Sequence, residues 1–158
     1  MKKRTGLYAA LIAVVLLAGA LWFFGFGPGS GAVLRARERV LAPEKPVLVC
    51  RVVNRSGRWL YYENGFYVER WNEDTSAWEY YKESSRDVNS DMALRYWRPF
   101  SAKTEEYPVW LYADSYAPGR YRVVQYAGYC GGLEEVSFPI PDEAKVVLYG
   151  EFTVEDVS

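Results

Sequence analysis

The chain of 158 residues contains no histidine. It therefore lacks the side chain that most often moves protons near neutral pH and most often ligates zinc. Cysteine is almost absent too, with Cys50 and Cys130 the only two. That number is too small for a disulfide scaffold or a cysteine-rich metal site. No G-x-S-x-G, phosphate-binding glycine loop, zinc spacing or kinase signature occurs. Nor is there an excess of positive charge. Setting aside Lys2, Lys3 and Arg4, 16 basic and 20 acidic residues remain, a net of −4. A phosphate-binding surface needs the opposite balance, so nucleic acid is not an expected partner. These absences point away from an enzyme and imply neither a cofactor nor a metal.

Charge is missing altogether from residues 5–34. Within that stretch, residues 7–26 form a mostly apolar run behind the Lys2-Lys3-Arg4 cluster. As a helix the run would measure about 30 Å, enough to cross a bilayer. Basic residues before it predict a cytoplasmic amino terminus and an extracytoplasmic remainder, with the membrane as a partner. Residues 1–27 are thus expected to be a transmembrane anchor or signal segment. The alternative is secretion after cleavage near Ala18-Gly19-Ala20, with residues 7–17 as the apolar core of a signal peptide. Leu21-Trp22-Phe23-Phe24 favours the anchor, because the run continues past that site. A glycine-rich linker at 28–32 leads to a single domain at 33–158.

What the domain does have is aromatic residues, 17% of the chain, alongside many β-branched ones. Both favour strands. Strands are expected at 33–41, 47–53 (Leu48, Cys50 and Val52 inward), 59–63, 66–71 and 78–81. Two more are expected at 105–112 and 145–155, with Leu148, Phe152 and Val154 inward in the last. Asn64-Gly65 reads as a hairpin turn between 59–63 and 66–71. Residues 83–91 read as a polar loop, and 92–100 as a helical turn or an irregular strand. Residues 126–141, with three glycines and two prolines, read as a long loop. Asn54-Arg55-Ser56 fits the N-glycosylation pattern at a turn. Pro118-Gly119 feeds a strand in which Tyr121, Val123 and Gln125 share one face. No helical period persists after residue 31. The fold class is all-β, an antiparallel sandwich.

Several segments together resemble bacterial immunoglobulin-like domains of exported or membrane-anchored proteins. They are Val53-Asn54-Arg55-Ser56-Gly57, Tyr67-Val68-Glu69-Arg70 with Trp78, and Tyr107-Pro108-Val109-Trp110-Leu111. Pro118-Gly119-Arg120-Tyr121-Arg122-Val123 and Tyr149-Gly150-Glu151-Phe152-Thr153-Val154-Glu155 complete the set. The resemblance spans residues 34–156 and implies an immunoglobulin-like sandwich with no catalytic residues. Gly119-x-Tyr121-x-Val123 also resembles a tyrosine corner, with Val123 where antibody domains place a cysteine.

Three sets of residues carry expectations. Cys50 and Cys130 form a disulfide or remain two thiols. Glu105-Glu106 and Glu134-Glu135 are solvated doublets, since neighbours on a strand face opposite ways. Tyr61, Tyr67, Trp71, Trp97, Trp110 and Tyr112 are candidates for an aromatic surface that binds a protein or a cell-wall glycan, set against an aromatic-rich core. The expected function is a membrane-tethered interaction or structural module. A proteinase-inhibitor-like domain using the 126–141 loop, or a glycan-binding accessory domain, are the alternatives.

Overall fold

A computed structural model describes residues 2–21, 31–44, 46–63, 65–84, 86 and 94–155. Helix α1 (Lys2–Leu21) is followed by ten strands. They are β1 (Ala32–Ala36), β2 (Val40–Leu41), β3 (Leu48–Asn54), β4 (Trp59–Glu63), β5 (Tyr67–Asn72), β6 (Ala77–Tyr80), β7 (Leu94–Trp97), β8 (Ser101–Tyr107), β9 (Gly119–Cys130) and β10 (Lys145–Val154). The domain is all-β, as its composition requires.

The strands form two sheets. The smaller is three-stranded, in the order β1-β3-β8. The larger has seven strands built around β9. One edge of β9 pairs with β10 along the whole length of that strand. The other edge pairs with β4 at Ala127 to Cys130 and with β5 at Tyr121 to Val124. β7 extends β4, β6 extends β5, and β2 lies parallel against the end of β10.

The core lies between the two sheets. It takes Leu48, Cys50 and Val52 from β3, and Val123, Leu148 and Phe152 from β9 and β10. All the inward positions expected on these strands are buried, Tyr121 and Gln125 included. Gly150 lies where β10 packs close against the small sheet. A Cβ there would lie 3.1 Å from both Cys50 Sγ and Leu34 Cδ2.

Four sequence expectations are corrected. The first strand is two strands: the chain leaves the small sheet after Ala36 and joins the large one at Val40. Asn64-Gly65 makes no hairpin, since β4 and β5 are not partners. Instead β4 and β5 pair with successive stretches of the same edge of β9, at Ala127 to Cys130 and at Tyr121 to Val124. Asn64 itself lies outside the described residues. The strand expected at 105–112 starts earlier, at Ser101, and ends at Tyr107. Pro108 offers no donor to continue it, and Val109–Leu111 turns as a 3₁₀ helix. Finally, β9 runs on to Cys130, which leaves 131–144 as the connection.

At the amino terminus a helix is present, but the expected membrane span is not supported. In α1 the described side chains, at 8 and 10–20, are all exposed, and apolar residues occupy every face of the helix. Among the described residues, however, no helix is long and apolar enough to cross a membrane. The first turn of α1 is charged, and residues 22–26 of the expected span lie outside the described residues. Residues 28–30 of the expected linker, 85 and 87–91 of the polar loop, and 92–93 of the segment after it lie outside them too.

Candidate functional site

The face of the large sheet turned away from the core has two halves. Over β4 and the end of β9 it is covered. The 131–144 connection folds back there and places Val136 and Ile140 on Tyr61 and Cys130, with Trp59 and Leu94 beside them. Gly128 makes this possible, because a Cβ would sit 2.8 Å from Tyr61 Cζ and 2.9 Å from Ile140 Cγ2. The segment expected to reach towards a protease packs on its own sheet through Val136 and Ile140, while most of 131–144 is exposed, Leu133 and Phe138 at 48% each.

The other half, over β5, β6, β9 and β10, is open and dense in aromatic rings and arginines. The β5–β6 register sets Trp71 opposite Trp78, with ring centroids 5.4 Å apart. Arg120 lies over both indoles, 5.3 Å from Trp71 and 5.7 Å from Trp78. Arg122 stands between Trp78, at 4.4 Å, and Tyr149, at 4.2 Å. Its Nε donates to Glu69 Oε2 at 2.6 Å, across the β5–β9 pair that places the two residues opposite each other. That bond holds the guanidinium between two rings, with the Arg122 side chain 18% exposed. Tyr67 meets Tyr80 at 6.3 Å and Tyr126 at 5.8 Å, and Lys145 Nζ lies 5.1 Å from the Tyr126 ring. Tyr67, Tyr80, Tyr126 and Tyr149 are all exposed.

Of the six aromatic residues expected to form a surface, only Tyr67 and Trp71 belong to this face. Tyr61, Trp97 and Tyr112 are corrected to interior positions. Tyr61 points outward from the core, but the 131–144 connection covers it. Trp97 faces inward and stacks on Tyr62 at 4.0 Å. Tyr112 donates its hydroxyl to the buried Phe66 carbonyl. Trp110 is half-buried elsewhere, under Arg86 at 5.3 Å. Sequence reading missed Trp78, Arg120, Arg122 and Tyr149. The signal lay in the Asn72-to-Ser76 turn, which brings Trp71 and Trp78 into register, and in the Arg120-x-Arg122 spacing.

Other polar groups have structural roles. The Tyr121 hydroxyl donates to the Ala117 carbonyl at 2.8 Å, the bond expected of a tyrosine corner. Asn54 is buried, not a free acceptor for a glycan. Its Nδ2 donates to the Arg58 and Arg98 carbonyls, and its Oδ1 accepts from the Ser56 amide. Cys50 and Cys130 are buried free thiols. They lie in separate apolar clusters, which explains why the paired reading fails. Burial pushes the Cys50 thiol up to about 12. Glu105 is not solvated as expected. It faces inward from β8 with its side chain 13% exposed, and pairs with Lys103 at 2.8 Å. Tyr62 next to it is pushed above the ordinary tyrosine range, first by burial and then by this carboxylate. Among the described residues, no group of three or more His, Cys, Asp or Glu is placed to hold a metal ion.

Compared with known protein families and with curated proteins, the chain matches none.

Proposed function

We propose that the chain is an extracytoplasmic immunoglobulin-like module that binds another protein without catalysing a reaction, held at a membrane by its amino-terminal segment. One observation carries the binding role: the open half of the large sheet, where Trp71, Trp78, Tyr149, Arg120 and Arg122 interleave. Tyrosine, tryptophan and arginine are the residues that dominate protein interfaces energetically. The guanidiniums already stacked on the indoles favour a protein partner over a sugar ring, which needs a bare aromatic face. The strand order supports the immunoglobulin-like reading. The first strand divides between the sheets, and β2 lies parallel to the last strand. The Tyr121 bond supports it as well. The anchor rests on the uncharged run at 7–26 and the cations before it.

Site-specific photo-crosslinking in membranes tests the reading. A crosslinker at Tyr80 or Tyr149 should capture a discrete partner, and one at Thr104 on the small sheet should not. Equal capture at all three positions, or none, would remove the open face as the binding site. Mass spectrometry of the mature amino terminus, with carbonate extraction of membranes, checks the anchor separately.

A further inference from the structure

β10 uses one edge fully and the other hardly at all. Its pairing with β9 runs from Lys145 to Val154. On the opposite side β2 meets it only at Thr153 and Val154. Among the described residues, the edge from Lys145 to Phe152 has no strand beside it. The Thr153 N–H points to that side, donating to the Arg39 carbonyl at 2.6 Å. Along an antiparallel strand both backbone groups of a residue point the same way, and the direction alternates. Val147, Tyr149 and Glu151 therefore turn their N–H and C=O groups outward as well. Among the described residues this is a row of three donor–acceptor pairs, at two-residue spacing, that no strand covers.

A groove of about 630 Å³ opens beside the Tyr149 to Thr153 part of this edge, between β10 and β1. Leu34 and Phe152 form its floor, and Arg35, Arg39 and Arg120 stand at its walls. Glu151 is the one carboxylate lining it, 3.9 Å from Arg120. Arg35 and Arg39 are exposed and make no ion pair among the described residues.

We propose that this edge receives an extended, acidic segment of a partner protein as an added strand. The backbone row supplies sequence-independent hydrogen bonds. The exposed Arg35 and Arg39 beside the groove select carboxylates on the added segment. A second copy of this chain is the poorer occupant, since it would bring its own Arg35, Arg39 and Arg120 against these. The groove shares Arg120 and Tyr149 with the aromatic face, but the inference rests on backbone groups of β10, so protection of those amides by an acidic peptide tests it apart from crosslinking at Tyr80.

Two synthetic peptides, (Glu-Val)4 and (Lys-Val)4, test it against the full chain in detergent micelles. The acidic peptide should bind and slow amide hydrogen exchange at Val147, Tyr149 and Glu151. The double variant Arg35→Glu/Arg39→Glu should lose about tenfold or more in affinity for (Glu-Val)4, equivalent to about 1.4 kcal/mol, and gain affinity for (Lys-Val)4. Val147→Pro removes an outward donor without touching a bond to β9, and should weaken binding in a chain whose circular dichroism is unchanged. No binding of (Glu-Val)4 at millimolar concentration would overturn the proposal. So would equal affinity for the two peptides, binding indifferent to alternate N-methylation, or edge protection without peptide in a chain that sediments as a dimer.

Discussion

The Tyr121 ring is fully enclosed while its hydroxyl reaches back four residues to the Ala117 carbonyl. Burying a phenol is favourable only where the hydroxyl keeps a partner. Tyr121→Phe leaves the Ala117 carbonyl short of a donor, and should cost about 1 kcal/mol in urea or thermal unfolding with little change in m-value. Gly150 is held by space rather than by torsion. Gly150→Ala would push a methyl group into Cys50 Sγ and Leu34 Cδ2, both 3.1 Å away. Overpacking of this kind should cost about 1–3 kcal/mol, and a chain as stable as the wild type would show that the small sheet can yield there. The inward set on β3, β9 and β10 was legible because a strand's two-residue period fixes which side chains share a face. It does not say whether the opposite face is bare. Tyr61 was therefore misassigned, its cover coming from Ile140, almost eighty residues further along the chain.

The connection at 131–144 has the composition of a loop and the behaviour of a lid on the sheet. Ile140 is its main apolar contact, 6% exposed against Tyr61 and Cys130. Ile140→Ala should destabilise by roughly 2 kcal/mol, the low end for such a truncation, because the cluster is small. It should also let iodoacetamide reach Cys130 under native conditions while Cys50, deep between the sheets, stays unlabelled. Simultaneous labelling of both thiols would mean that the two clusters open as one. β4 and β5 show where local signals fail. Asn64-Gly65 carries the strongest short hairpin signal in the chain, yet strand pairing is decided by burial over the length of β9. The alternation of Tyr67-Val68 matches that partner better than it matches β4. The split of the first strand was equally hidden, because Val33, Leu34, Val40 and Leu41 look alike in sequence and differ only in which sheet edge lies nearby.

Tyr62, Tyr107, Tyr112 and Tyr116 are each no more than 4% exposed, and burial is the main reason why all four hold their protons above the usual tyrosine range. Their ordinary value is near 10, and that of Cys50 near 9, against about 12 in the folded chain. Raised folded values mean that this stability is complete below the unfolded values and is lost as pH climbs beyond them. The unfolded chain releases protons that the folded one retains. Stability should therefore hold up to about pH 9 and then fall by roughly 1.4 kcal/mol per pH unit for each group engaged. Urea titrations between pH 8 and 12, with tyrosinate absorbance as a second signal, check this. A flat profile would mean that the phenols reach water in the native state.

β9 and β10 supply partners for β2, β4 and β5, yet they leave the ribosome after all three. Until residue 130 has emerged, β4 has no neighbour but β7, and β5 none but β6. Hairpins and two-stranded pairs of that size are marginal on their own. The large sheet therefore cannot close before β9 and β10 have been made, and what comes earlier in the chain waits for them as separate strand pairs.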